Sequence, residues 1–167
     1  MEREFTEVYC GSGRGKTTLA IGQSIRVCTQ GKSVIIIQFL KGKERRATDF
    51  LEDLDNLDIK IFRFEKQVSC YEELSDQEKD EEKLNILNGL NFARKVVATQ
   101  ECDLLVLDEI LGLLDCGIAT VDAIADILKL KDKTMHIIMT GRSLPKELEC
   151  YVDSVTTLTT ADAECQG

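Results

Sequence analysis

Several features are missing from this sequence of 167 residues, and each absence excludes a class of protein. No apolar run reaches the roughly 18 residues that a transmembrane helix requires, so no membrane partner is expected. The first residues are charged and lack the apolar core of a secretory signal, which predicts a cytoplasmic protein. The seven cysteines form no Cys-x-x-Cys pair, and their number is odd. We interpret them as reduced thiols and not as a disulfide framework or a zinc site.

Positive charge is also scarce, since 21 basic residues face 30 acidic residues and the formal net charge is −9. Nucleic-acid binding requires a positive surface, so no nucleic-acid partner is expected. The only histidine, His136, begins an apolar segment, and a structural role is favoured for it over a catalytic one. The length predicts a single nucleotide-binding domain, 1–167, whose last part, 159–167, is a flexible tail.

The most informative segment is 10–18, which reads Cys-Gly-Ser-Gly-Arg-Gly-Lys-Thr-Thr and has the pattern of a phosphate-binding loop. Alternate glycines allow the backbone to turn its N–H groups around an anion. Lys16 adds a positive charge, and Thr17 adds a hydroxyl that suits Mg²⁺. A strand pattern precedes the loop and a helix pattern follows it, which makes a chance glycine-rich turn the weaker explanation. The predicted nucleotide-binding residues are Gly11, Ser12, Gly13, Arg14, Gly15, Lys16, Thr17 and Thr18.

Apolar segments alternate with helical segments along the rest of the chain. The segments 34–39 and 104–107 are apolar on both faces, which is typical of parallel strands covered by helices. Further strands are predicted at 3–9, 59–64, 136–139 and 152–158, and helices at 17–29, 75–99 and 120–130. This order predicts an α/β fold with a mostly parallel sheet that is covered by helices on both faces.

Two helices carry boundary signals of their own. Ser75 and Glu78 form the capping-box pattern at the start of the longest helix. Ser143 is predicted to cap a short helix that has Pro145 in its first turn. The apolar stripe of the longest helix is predicted to contain Leu84, Leu87, Leu90, Ala93, Val96 and Val97.

In sheets of this kind, ligands bind at the carboxyl ends of the strands, which gathers three loops at one edge. The first is the phosphate-binding loop, and the others are 108–112 and 140–143. Asp108 and Glu109 follow a buried strand, where a carboxylate can hold Mg²⁺ directly or through water. The alternative for this pair is a helix cap at the end of the strand.

Two basic residues stand at other strand ends. Arg142 could reach a phosphate with its guanidinium, and a surface arginine that caps a turn is nearly as good an explanation. Lys41 could touch the nucleotide or a second substrate, although a solvated lysine is the better explanation for it.

Four motifs, in order, resemble those of the ATP:corrinoid adenosyltransferases of the CobA/BtuR type. The loop at 10–18 is similar to the family's Thr-Gly-Asn-Gly-Lys-Gly-Lys-Thr-Thr, which also begins without glycine. The segment 36–42 is similar to Val-Gln-Phe-(Ile/Leu)-Lys-Gly, and 105–109 is similar to Val-Val-Leu-Asp-Glu. The family's Thr-Gly-Arg is matched at 140–142. The resemblance therefore extends over nearly the whole chain.

The resemblance implies a P-loop NTPase fold of the RecA-like type and a homodimer. It also implies transfer of the 5′-deoxyadenosyl group of ATP to the cobalt of a reduced corrinoid, with release of triphosphate. Since cobalt(I) is already a nucleophile, the protein must supply positioning and charge stabilisation instead of a base. We predict that Mg²⁺ is held by Thr17, Asp108 and Glu109. The predicted catalytic residues are Lys16, Glu109 and Arg142.

The chain departs from the family in two segments that would face the corrinoid. Before the long helix the family commonly carries Gly-Phe-Thr-Trp, whereas 65–74 reads Glu-Lys-Gln-Val-Ser-Cys-Tyr-Glu-Glu-Leu and the chain has no tryptophan. The family's aromatic residue after Lys-Gly is also missing from 43–49. Two alternatives to the transferase therefore stay open. One is a Mg²⁺-dependent ATPase in which Glu109 polarises a water, and the other is a nucleotide-binding regulatory protein.

Overall fold

The computed structural model of the chain describes residues 5–41, 51, 53 and 56–163. Its strands are β1 (Thr6–Cys10), β2 (Val34–Gln38), β3 (Ile59–Arg63), β4 (Leu104–Asp108), β5 (His136–Thr140) and β6 (Ser154–Thr157). Its helices are α1 (Lys16–Thr29), α2 (Asp76–Thr99), α3 (Gly112–Asp115), α4 (Val121–Lys129) and α5 (Lys146–Glu149), and a 3₁₀ turn lies at Tyr71–Glu73. The predicted strand residues before Phe5, the segment 43–49 and the last residues of the predicted tail lie outside this description.

The six described strands form one sheet in the order β3-β2-β4-β5-β1-β6, and every neighbouring pair is parallel. The predicted fold class is thus confirmed. β2 and β4 are buried at all five positions, as the unbroken apolar runs predicted, because helices cover both of their faces. No helix among the described residues has both the length and the apolarity needed to cross a membrane.

Each face of the sheet has its own core, because successive side chains of a strand point to opposite faces. On one face α1 packs through Ala20 and Ile21 against a strand layer that includes Ile36, Val106 and Ile138. On the other face α2 and α4 cover a second layer. Their contacts include Ile35, Ile37, Leu105, Leu107, Ile137 and Met139 from the strands, with Ile86, Ala93, Ile124 and Leu128 from the helices.

The start of α2 agrees with the prediction, and its buried face agrees in part. Ser75 and Glu78 form the reciprocal capping box. The second half of the predicted stripe is confirmed, since Leu90, Ala93, Val96 and Val97 are buried. Leu84 and Leu87, however, are 66% and 40% exposed, and Glu82, Ile86 and Gly89 are buried in the first half of the helix.

The physical reason for this difference in the buried residues is a close approach at Gly89. A Cβ on Gly89 would lie 3.0 Å from the Phe39 ring and 3.1 Å from the Phe64 ring, so only glycine permits the contact at this distance. Glu82 is buried on the same face because its carboxylate accepts hydrogen bonds from the N–H groups of Lys66 and Gln67 at 2.8 and 2.7 Å. Both partners belong to the segment before α2, so the helical period of α2 alone does not reveal them.

The prediction for the short helix near residue 145 is wrong in its cap. Pro145, and not Ser143, stands at the N-cap position of α5, and Ser143 is exposed. The Leu148 N–H donates to the Pro145 carbonyl at 3.0 Å, so the first turn of the helix begins at the proline. β6 is also shorter than predicted, since regular pairing with β1 ends at Thr157.

Candidate functional site

The phosphate-binding loop is held by the residues that follow β5 and β6. The N–H groups of Gly11 and Gly13 donate to the carbonyls of Arg142 and Leu158, each at 2.8 Å, and the Arg14 N–H donates to the Thr160 hydroxyl at 2.8 Å. These amides are therefore engaged within the protein. The first bond inside α1 runs from Leu19 N to the Gly15 carbonyl, which leaves the N–H groups of residues 16–18 at the helix N-terminus. Such groups, together with the helix dipole, favour an anion.

Three glycines are needed here for two different reasons. Gly11 and Gly15 have φ of 109° and 103°, a region in which a side chain is strained. At Gly11 and Gly13 a Cβ would lie 2.4 and 2.6 Å from the Leu158 carbonyl oxygen. The sequence predicted that the glycines turn their N–H groups around an anion, but in the structure the Gly11 and Gly13 N–H groups bond to protein carbonyls. Glycine is required at these two positions because the backbone after β6 comes so close.

Lys16 spans the loop. Its ammonium donates to the carbonyls of Gly11 and Gly13 at 2.8 and 3.0 Å. The side chain is half-buried and also lines the cleft beside the loop. The positive charge of Lys16 therefore lies on the loop and borders the cleft.

Asp108, at the end of β4, is the centre of the site. It is 1% exposed, and its carboxylate accepts from Thr17 Oγ1 at 2.9 Å, Thr140 Oγ1 at 2.8 Å and Gln38 Nε2 at 3.2 Å. It also forms an ion pair with Lys41. Burial of a carboxylate is costly unless it is paired and hydrogen-bonded, and these contacts provide both.

Glu109 adopts φ of 62°, which is unusual for a residue other than glycine. Its N–H donates to Thr140 Oγ1 at 2.8 Å, and its carboxylate lies close enough to Gly112 that a Cβ there would be 3.2 Å from Glu109 Oε2. Burial, and then the carboxylate of Asp108, raise the pKa of Glu109 above its usual value, while three nearby basic side chains partly offset the rise.

A cleft of about 400 Å³ opens beside these groups. The lining includes Lys16, Lys41, Cys70, Glu109, Cys116 and Arg142. The segment that departs from the family pattern therefore contributes to the same cleft as the phosphate-binding loop.

The structure brings together most of the predicted site residues. The loops after β1, β4 and β5 meet because these strands lie side by side, with β5 between the other two. Arg142 is exposed on the rim of the cleft, and its carbonyl also anchors Gly11. Thr18 is exposed on the surface of α1, beside the loop.

Three site residues were missed or given too little weight. Lys41, which the sequence favoured as a solvated lysine, donates to Thr17 Oγ1 at 2.7 Å and pairs with Asp108. Thr140 and Gln38 stand in motifs that were recognised, yet no role was assigned to their side chains. A polar residue at the end of an otherwise apolar strand was the available signal for both.

His136 lies away from the site, at the start of β5 and thus at the opposite edge of the sheet. Its Nε2 is 3.0 Å from Glu7 Oε2, and burial lowers the pKa of the imidazole despite that carboxylate. The predicted structural role agrees with this position.

The oxygen donors of the site fit a hard cation such as Mg²⁺ and not a metal that prefers thiolate or imidazole ligands. Thr17 offers a hydroxyl and Asp108 a carboxylate, both hard ligands. No group of three or more histidine, cysteine or acidic side chains arranged for a metal occurs among the described residues. Magnesium usually keeps several waters and binds one or two carboxylates together with phosphate oxygens, so this sparse set suffices.

Comparison with known proteins shows the family of the chain. The profile of the family described as ATP:corrinoid adenosyltransferase BtuR/CobO/CobP matches residues 2–166. The corrinoid adenosyltransferase CobA of Salmonella typhimurium is 23% identical over 161 residues, covering 94% of this chain and 77% of that protein. The Escherichia coli corrinoid adenosyltransferase is 22% identical with the same coverage.

An uncharacterized protein of Nostoc is 30% identical over 84% of this chain. This chain spans only 40% of the length of that protein. Among solved structures, a KaiC-like protein from Pyrococcus horikoshii superposes with a TM-score of 0.56 at 18% identity, over 98% of this chain and 77% of that one. This likeness shows the fold alone.

Proposed function

Because the chain belongs to the ATP:corrinoid adenosyltransferase family, we propose that it transfers the 5′-deoxyadenosyl group of ATP to the cobalt(I) centre of a corrinoid. In this reaction an electron pair of cobalt forms the bond to C5′, and the C5′–O bond breaks with its electron pair leaving on triphosphate. The supporting observation is the meeting of Lys16, Thr17 and Asp108 beside an open cleft of about 400 Å³. The lining of that cleft carries three basic side chains and three carboxylates.

The protein's share of the chemistry is electrostatic. A leaving triphosphate develops negative charge, and cations placed in advance lower the energy of that state. Lys16, Lys41 and Arg142 all line the cleft and are the groups that would stabilise it. The N–H groups at the start of α1 would add to this stabilisation. None of these roles needs a protein base, in agreement with the position of His136 at the far edge of the sheet.

Thr17 and Asp108 would hold Mg²⁺, with Glu109 beside them. When bound, this ion would neutralise phosphate oxygens and orient the triphosphate. Asp108 is positioned for this by the Thr140 and Gln38 side chains, which fix both carboxylate oxygens. Thr17 is positioned by the first turn of α1.

The reaction products test the proposal. The purified protein is incubated without oxygen with ATP, Mg²⁺ and a chemically reduced corrinoid. Equal amounts of triphosphate and of an alkylated corrinoid, the latter seen by its absorption spectrum, are expected. Formation of ADP and phosphate alone would instead identify an ATPase in which Glu109 polarises a water. Binding of ATP without turnover would favour a regulatory protein.

Two variants sharpen the assignment. Lys16→Ala should weaken ATP binding in calorimetry, whereas Lys95→Ala should not, because Lys95 pairs with Glu101 near the opposite edge of the sheet. Glu109→Gln should abolish turnover in an ATPase but leave a transferase active at raised Mg²⁺. The homodimer that the family resemblance implies belongs to the same proposal and is tested by analytical ultracentrifugation.

A further inference from the structure

Lys41 lies where a divalent cation would bind. Its ammonium donates to Thr17 Oγ1 at 2.7 Å and forms an ion pair with the Asp108 carboxylate. These are the two side chains whose oxygens fit Mg²⁺. The Thr17 hydroxyl donates its own proton to Asp108 at 2.9 Å, so Lys41 takes one of the lone pairs that a metal would require.

Both cations cannot occupy this place together. Magnesium binds oxygen at about 2.1 Å, so an ion bound to the Thr17 hydroxyl would lie within about 5 Å of the present ammonium position. Like charges at such a separation repel strongly where the surroundings are partly buried. Asp108 is 1% exposed, and Lys41 is 24% exposed.

The main chain that leads to Lys41 is held by hydrogen bonds of its own, apart from the contacts of the ammonium. Leu40, the preceding residue, has φ of 64°, and its N–H donates to the buried carboxylate of Glu65. The Phe39 N–H bonds to the Asp108 carbonyl at 3.0 Å, which ties the end of β2 to β4. A lysine carries its ammonium on a flexible chain of four carbons, so the ammonium can leave Asp108 while the backbone remains in place.

We propose that Lys41 is an exchangeable counter-cation, which neutralises Asp108 in the absence of metal and moves to the triphosphate when Mg²⁺-nucleotide binds. This inference rests on the proposed function and adds a residue that acts in two states. In the first state Lys41 removes the cost of a buried, unpaired carboxylate. In the second state its charge is delivered to the leaving group, because the cleft that it lines adjoins the phosphate-binding loop.

The exchange predicts opposite effects on two binding constants. Without nucleotide, Lys41→Met should bind Mn²⁺ at least about tenfold more tightly than the wild type, because a charged hydrogen-bonded competitor has been removed. With Mg²⁺ in excess, the same variant should bind ATP about tenfold more weakly, because a charge-assisted phosphate contact is lost. Lys41→Arg keeps the charge and should show neither change in full.

Free Mn²⁺ is measured by electron paramagnetic resonance, and ATP binding by calorimetry. Lys95→Met removes the same charge from α2 and should leave both constants unchanged. Lys41→Gln keeps a hydrogen-bond donor for Asp108 and replaces the methionine variant if that variant does not fold. Mn²⁺ affinity that stays the same or falls in the uncharged variants would overturn the exchange, as would unchanged ATP affinity. If the wild type bound no ATP, the proposed function would fail, while the Mn²⁺ comparison would still decide the role of Lys41.

Discussion

Replacing Gly13 with alanine tests whether the phosphate-binding loop depends on the chain that follows β6. A Cβ at this position would lie 2.6 and 2.7 Å from the carbonyl oxygen and carbon of Leu158 and 2.8 Å from the Thr159 nitrogen. All three are main-chain atoms, so no side-chain rotation relieves the overlap. The loop and the chain after β6 must move apart, and the 2.8 Å bond from Gly13 N to Leu158 is lost.

Overpacking of this kind costs about 1–3 kcal/mol, and the lost hydrogen bond adds about 1 kcal/mol. For a chain of this size each kcal/mol lowers the melting temperature by about 2–4 °C, so we expect Gly13→Ala to melt about 5–15 °C below the wild type. Differential scanning calorimetry measures the change, and calorimetric titration should show weaker ATP binding because the loop has shifted.

Gly22→Ala is the matched control. Gly22 lies inside α1, and a Cβ there would meet no atom within 4 Å. Alanine is preferred over glycine in a helix by about 1 kcal/mol, so this variant should melt about 2–4 °C above the wild type. The same chemical change should thus act with opposite sign at the two positions. A Gly13→Ala protein that melts within about 2 °C of the wild type would refute the close approach.

Two further predictions concern the two edges of the sheet. Thr140→Val should lower the free energy of unfolding by about 1–3 kcal/mol and weaken Mg²⁺-ATP binding, because the hydroxyl donates to Asp108 Oδ1 and accepts from the Glu109 N–H. Urea titration measures the first effect and calorimetry the second. Wild-type values for both would contradict the shared role of the hydroxyl. Burial lowers the pKa of His136 in the folded state despite Glu7, so stability should be lost as pH falls below about 6.5, where the unfolded chain takes up a proton more readily. In His136→Gln the urea midpoint should change less between pH 7 and pH 5.5 than in the wild type, and an equal slope would show that another group titrates.

Some features of the fold and of the site could be predicted because their signals are local. The capping box at Ser75 was recognised from two residues three positions apart, and the structure contains it. Asp108 was singled out because an acidic residue after an unbroken apolar run is unusual, and the structure buries it at a strand end. The catalytic roles assigned to Lys16, Glu109 and Arg142, and the predicted Mg²⁺ site, stay predictions until the variants are measured.

Other features could not be read from local patterns. Leu84 and Leu87 fit the helical period as well as Ile86 does, and the choice between them depends on the Phe39 and Phe64 rings, which reach α2 from other elements. Lys41 looked like an ordinary exposed lysine. Its pairing with Asp108 follows from the neighbouring positions of β2 and β4 in the sheet.

The sequence by itself determined that a glycine-rich loop with the pattern of a phosphate-binding loop joins a strand to a helix, and that acidic residues follow a buried strand. Turn, cap and periodicity signals act within a few residues, and that range suffices for such statements. Only the tertiary structure decided which side chains surround Asp108 and why Gly13 must be glycine. Both depend on the strand order β2-β4-β5-β1-β6, which joins segments up to 147 positions apart, and on contact distances that no local pattern encodes.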